Sequence, residues 1–195
     1  MKSAPCYSGL VLREGARGHL FASCAQGALA VGRVLDGALW TGLEAEVLHW
    51  DTDEGSRVFG DVLPAASGLR TRRFGGGGEF FSALREALGA ARAGVHFYVA
   101  GPEVFVWDAH AEARRAGLAL SAVSHELAGS RARRVSCVHC KAVNEGVTGS
   151  PHRCCGCGQG LLVRDHFSRT LAAYVGVRID AEEPGAVPET EEMYR

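Results

Sequence analysis

No stretch of this 195-residue chain approaches the run of about 20 apolar residues needed to cross a bilayer. The opening Met1-Lys2-Ser3-Ala4-Pro5 lacks the apolar core of a secretory leader. Both absences make the cytoplasm the expected compartment, with no membrane partner. An excess of one charge is missing too: 21 basic against 22 acidic side chains leave a net charge of −1. That balance argues against a nucleic-acid footprint over the whole chain. No internal repeat is present, which sets aside repeat architectures. A hydrophobic share of 47% against 22% charged residues excludes a disordered chain and leaves a folded one, long enough for an ordinary domain plus a small module. Two local biases remain. Arg131, Arg133 and Arg134 lie just before the first cysteine pair, and Asp180, Glu182, Glu183, Glu189, Glu191 and Glu192 crowd the last sixteen positions. Each reads either as a solvated face or as a partner surface.

The cysteines carry the strongest signal. Cys137-Val-His-Cys140 is followed, after thirteen residues, by Cys154-Cys155-Gly156-Cys157-Gly158. Two CxxC pairs at that separation have the spacing of a four-thiolate metal site, with Cys137, Cys140, Cys154 and Cys157 as ligands. Gly156 and Gly158 supply the backbone freedom that a knuckle turn needs. A module this short buries little core, so Zn2+ is expected to hold it together. Iron in a rubredoxin-like centre is the rival: the second knuckle has the glycine after its last cysteine, whereas the first has Lys141. Cys155 competes with Cys154 for the ligand role, but only Cys154–Cys157 has the CxxC spacing. Cys6 and Cys24 sit in apolar, strand-like runs and are expected to be small buried hydrophobes. His139 and His152 flank the sulfurs as exposed neighbours.

Residues 1–128 alternate short apolar strands with helical patterns. Strands are expected at 19–23, 44–50, 69–74, 95–100 and 118–123, and helices at 27–39, 79–93 and 104–116. Gly75–Gly78 breaks the chain and reads as a flexible linker. Such alternation with short joints predicts a doubly wound α/β domain with a mostly parallel sheet, whose ligand site would lie at the carboxyl ends of the strands. A zinc ribbon is expected over 131–165. Residues 166–195 read as a partner-binding segment: a short helix at 171–175, then an acidic tail that is extended or disordered.

Val99-Ala-Gly-Pro102, followed by a helix and Ala116-Gly117-Leu118, resembles the end of the nicotinamide-binding domain in ferredoxin–NADP reductase relatives. That resemblance implies a dinucleotide site at Gly27, Gly101 and Pro102. The chain departs from the family pattern at two points. The turn after the first strand, Cys24-Ala25-Gln26-Gly27, keeps one of the expected glycines, and Ala100 stands where the family has cysteine before Gly-Pro. Ala25 and Gln26 crowd a phosphate approach, and no Arg-x-Tyr-Ser flavin segment precedes the domain. A scaffold that kept the fold and lost the site is the competing reading.

Arg134-Val-Ser-Cys137-Val-His-Cys140-Lys141, with Val163-Arg-Asp-His-Phe-Ser-Arg169, Leu171-Ala-Ala-Tyr174, Gly176-Val177, Asp180-Ala-Glu182 and Pro184-Gly185, resembles the C-terminal region of the A-subunit family of bacterial dimethylamine monooxygenases. The resemblance is close over 131–190 and looser before. It implies an accessory, non-catalytic subunit of an NADPH- and O2-dependent complex that demethylates dimethylamine to methylamine and formaldehyde. Its partners would be a haem-containing oxygenase subunit and a reductase subunit carrying FMN and an iron–sulfur cluster. The role implied for this chain is to hold a structural zinc and bring the two together.

Two other classes remain. One is an electron-transfer protein that binds NAD(P)H in the α/β domain or iron in the ribbon. The other is a ribbon that binds nucleic acid, which the acidic tail and the lack of an aromatic–basic stacking platform oppose. Arg164, Asp165, His166 and Arg169 read as interface or structural residues rather than acid–base groups, since no nucleophile stands beside them.

Overall fold

Gly18–Cys24 forms β1, and all seven of its residues are buried, which only a strand covered on both faces achieves. The computed structural model describes residues 3–36, 44–52 and 69–194. Along β1 the side chains alternate between two cores. Leu20, Ala22 and Cys24 pack with Leu48, Phe97 and Val99 beneath Phe80, Leu84, Phe105 and Ala109. Phe21 packs with Val47, Tyr98 and Ala100 beneath Ala30, Val31 and Leu35. Three helices supply those covers: α1 (Gly27–Asp36) on one face, α2 (Gly77–Ala90) and α3 (Glu103–Arg115) on the other.

The other strands of this sheet are β2 (Glu44–Trp50), β3 (Leu69–Phe74), β4 (Val95–Gly101) and β5 (Val123–Leu127). Their order is β3-β2-β1-β4-β5, and every pairing is parallel. The order reverses between β1 and β4, so a topological switch point lies at their carboxyl ends. The expected doubly wound sheet is present.

Three local expectations are corrected. The last strand begins at Val123, not 118, and a 3-10 turn over Leu120–Ala122 precedes it. Its sequence, Val-Ser-His-Glu-Leu, has no apolar run because distant groups satisfy its polar side chains. Ser124 Oγ meets His96 Nε2 at 2.9 Å, and Glu126 Oε2 accepts from Leu10 N–H and from Arg33 Nη2, each at 2.6 Å. Gly75–Gly78 is not a linker either. Gly77 and Gly78 open α2, and a Cβ on Gly77 would lie 2.9 Å from the Trp50 ring. Cys6 is exposed, whereas Cys24 is buried and its thiol is pushed up to about 12 by that burial. The part of the first expected helix beyond Asp36 lies outside the described residues.

The chain divides into two compact units, Tyr7–Gly129 and Met1–Cys6 with Ser130–Arg195. In the second unit β6 (Arg133–Cys137), β7 (Val143–Val147), β9 (His152–Arg153), β10 (Gly160–Ser168) and β11 (Ala173–Arg178) make one sheet of order β7-β6-β11-β10-β9. Ser3 joins this unit: its N–H donates to Asp165 O at 3.0 Å, and its Oγ accepts from Phe167 N–H at 3.0 Å. The helix expected at 171–175 is replaced by β11, which pairs antiparallel with β10. Strand wins here because Ala173, Tyr174 and Gly176 are buried against β6 and β10, an alternating demand that a helix cannot meet.

The acidic tail also folds back. Glu191–Glu192 (β12) pairs with Gly149–Ser150 (β8), and the N–H groups of Met193 and Tyr194 both donate to Thr148 O. Gly149 permits this approach, since a Cβ there would lie 2.7 Å from Glu191 O. Tyr194 is then buried, with the Arg133 guanidinium 3.8 Å from its ring centroid and 3.9 Å from that of Tyr174.

Candidate metal centre and the strand-end crevice

The Cys137–Cys140 knuckle runs off the end of β6, and the Cys154–Cys157 knuckle follows β9. The two have the same internal wiring. Cys137 N–H donates to Ala142 O, and Cys154 N–H to Gln159 O, both at 2.9 Å. Lys141 N–H donates to Cys137 O, and Gly158 N–H to Cys154 O, both at 3.0 Å. The residue after each second cysteine is left-handed: φ is 65° at Lys141 and 72° at Gly158. The absence of a glycine from the first knuckle therefore does not change its turn. Lys141 accepts the conformation, and its Nζ donates to Val138 O at 2.7 Å.

Gly156 serves a different end from the backbone freedom expected of it. A Cβ there would sit 2.7 Å from Ala142 Cβ and 3.0 Å from Cys140 Sγ, so its bare Cα lets one knuckle close on the other. The sulfurs of Cys137, Cys140, Cys154 and Cys157 all come within 4.8 Å of one another. Cys137–Cys157 is 3.9 Å and Cys140–Cys154 is 3.6 Å. Those separations exclude disulfides, whose sulfurs lie about 2.05 Å apart. They match the edge of about 3.8 Å for a tetrahedron of sulfurs around a zinc at about 2.3 Å. The donor set thus fits a thiophilic metal ion.

Cys154 and Cys140 are pulled in opposite directions. Burial opposes its ionisation, yet the N–H groups of Cys157 and Gly156 and the thiols of Cys140 and Cys157 donate to it and bring it down to about 6. Cys140 accepts from Ala142 N–H, which favours its thiolate. Desolvation and its own donation to Cys154 outweigh that and push it up to about 12. Cys155 points away: it is exposed and its thiol donates to Val143 O at 3.5 Å. His139 is exposed, His152 is half-buried in β9, and neither belongs to the sulfur cluster. Sequence reasoning missed Asn144, which is 2% exposed and touches this cluster. An asparagine at a strand position among exposed neighbours was its one available signal.

At the carboxyl ends of the parallel strands the structure brings Gly27, Gly101 and Pro102 near the switch point. Two residues join β1 to α1, and Ala25 takes a left-handed φ of 49° with its methyl group buried. A Cβ on Gly27 would lie 2.0 Å from Ala100 O, so this glycine lets α1 pack directly on β4. A Cβ on Gly101 would meet Phe105 Cδ1 at 2.8 Å and Cys24 O at 3.1 Å. Ala28 N–H and Leu29 N–H, which an anion at the start of α1 would need, donate to Ala25 O and Gln26 O. Beside them Glu103, buried at the start of α3, accepts from Tyr7 OH at 2.7 Å, and Tyr7 OH accepts from Trp107 Nε1 at 2.8 Å.

A parallel, doubly wound α/β domain followed by a four-thiolate ribbon defines the class of this protein. The chain belongs to the dimethylamine monooxygenase subunit DmmA-like family. The family's N-terminal domain matches residues 1–123 and its C-terminal domain residues 134–177. One curated relative is the heme-dependent oxidative N-demethylase delta subunit of Ectopseudomonas mendocina (strain ymp). It is 40% identical over 101 residues, or 52% of this chain and 58% of the relative. The matched part thus spans little more than half the length of that relative. Among solved structures, phthalate dioxygenase reductase aligns with 69% of this chain and 45% of its own, at 15% identity and a TM-score of 0.45. The siderophore-interacting protein SipS of Aeromonas hydrophila aligns with 59% and 51%, at 16% identity and a TM-score of 0.44.

Proposed function

We propose that this chain is an accessory, non-catalytic subunit of a multicomponent N-demethylating oxygenase. In this reading a haem subunit oxidises a methyl group of dimethylamine, with O2 as oxidant and NADPH as reductant, and methylamine and formaldehyde are released. A reductase subunit with FMN and an iron–sulfur cluster supplies the electrons. This chain helps bring the two together in the cytoplasm.

Its own residues play two parts. Cys137, Cys140, Cys154 and Cys157 hold Zn2+, which supplies a redox-silent cross-link between the knuckles. The α/β domain serves as a scaffold in which Gly27 and Gly101 are packing residues. The observation that carries the scaffold reading is the contact of Gly27 with Ala100 O, together with the amides of α1 already bonded within their own turn. Family membership and the curated demethylase relative support the assignment to an oxygenase.

The test is native co-purification of a tagged chain, with haem and flavin read by absorbance in the eluate, and calorimetric titration of the isolated chain with NADPH. Haem and flavin partners with no NADPH heat are expected. Recovery of the chain without them overturns the assembly role, and tight NADPH binding overturns the scaffold reading. The same four thiolates also suit iron, so visible colour in the isolated chain would move the reading to electron transfer.

A further inference from the structure

Asn144 sits on β7 opposite Val135 of β6 and is 2% exposed. A buried amide must find hydrogen bonds, and this one reaches three different parts of the ribbon. Its Oδ1 accepts from Cys155 N–H at 2.7 Å, in the middle of the second knuckle. Its Nδ2 donates to Val135 O at 3.2 Å, and it lies 3.5 Å from Ala142 O and 3.8 Å from Cys154 Sγ, the last within range of an N–H···S bond. One side chain thus fixes the second knuckle to the sheet of the first and aims a donor at a ligand sulfur.

The electrostatic need is plain. Four thiolates around a dication leave two excess negative charges in a small, partly buried volume. N–H groups aimed at sulfur spread that charge. Backbone amides do this for Cys154 from Gly156 and Cys157, and for Cys140 from Ala142. Cys154 is one of the two buried ligands, where solvent contributes least.

We propose that Asn144 is a positioning residue of the four-thiolate centre: it sets the second knuckle through Cys155 N–H and donates Nδ2–H to the Cys154 thiolate. The proposal rests on the metal-holding role of the four cysteines. It predicts that Asn144→Asp, which keeps the acceptor for Cys155 N–H but turns a carboxylate toward the sulfur, weakens metal binding by roughly 10–100-fold. Asn144→Ser, with a shorter side chain, loses both contacts and does the same.

The experiment uses the full chain. Zn2+ affinity is measured by chelator competition, and the Co2+-loaded forms are compared by their thiolate-to-metal charge-transfer and d–d bands. Val147→Ala, a truncation of a fully buried residue on the same strand, is the control for general loss of ribbon stability. Both Asn144 variants are expected to lose far more affinity than the control and to shift the charge-transfer band, which the control leaves in place. Losses equal to the control's with an unshifted band overturn the inference alone. A wild-type chain that takes up no metal overturns the four-thiolate reading, and the inference with it.

Discussion

Lys141 and Gly158 hold the same place in two knuckles of like wiring, one with φ 65° and the other with φ 72°. A lysine in the left-handed region costs about 1–2 kcal/mol, and glycine removes most of that cost. Lys141→Gly is therefore expected to stabilise the first knuckle by about 0.5–1 kcal/mol, the loss of the Nζ bond to Val138 O offsetting part of the gain. Native-state hydrogen exchange at Lys141 N–H would read this as slower opening. Faster opening would mean that the lysine bond outweighs the backbone cost.

Cys154 and Cys155 are neighbours with opposite fates. Cys154→Ser and Cys137→Ser each remove a sulfur from the cluster and are expected to abolish stoichiometric metal binding. Cys155→Ser leaves the backbone N–H to Asn144 in place and is expected to bind metal as the wild type does. Elemental analysis of the three purified variants checks this, and metal loss in the last would reverse the assignment of the two cysteines.

His49 gives the α/β domain an acid sensitivity. It is fully buried, its Nδ1 lies 2.8 Å from Ser23 Oγ, and Asp51 and Arg73 face it. Burial brings its pKa down to about 4; Asp51 opposes the fall and Arg73 adds to it. In the unfolded chain the ring takes up a proton near its ordinary value of 6.5. Between those values the unfolded state binds more protons, so stability falls as pH drops from 6.5 toward 4, by about 3 kcal/mol in total. His49→Gln is expected to flatten that slope in urea melts followed by tryptophan fluorescence. An unchanged slope would place the sensitivity elsewhere.

Gly27 and Gly78 differ in what surrounds them. Gly27→Ala forces a methyl group into Ala100 O and is expected to cost about 3 kcal/mol or more. Gly78→Ala meets nothing within 4 Å among the described residues, in the first turn of α2, and is expected to gain about 0.5–1 kcal/mol. Thermal melts of the two variants should move in opposite directions.

Tyr194 closes on Arg133, and its removal tests whether the tail is part of the ribbon. Tyr194→Ala is expected to cost about 1–2 kcal/mol and to expose the N–H groups of Met193 and Tyr194 to exchange. Retained protection at those amides would show that β12 holds without the ring.

The sequence by itself determined the sheet and the sulfurs. Runs such as Val95–Ala100 are apolar because both faces of a central parallel strand are covered, and the two CxxC spacings dictate tight turns whatever surrounds them. Both are local signals. Tertiary structure alone decided the rest. The strand at Val123–Leu127 is polar because Leu10, Arg33 and His96 satisfy it from afar. The 173–178 strand and the docked tail exist because β6, β10 and Thr148 offer partners that no window of sequence displays. Gly27, Gly77 and Gly156 read alike as letters, yet each answers to one neighbour: a carbonyl, an indole and a second knuckle. Close approach is a property of pairs distant in sequence, so only the folded chain could reveal which glycines give flexibility and which make room.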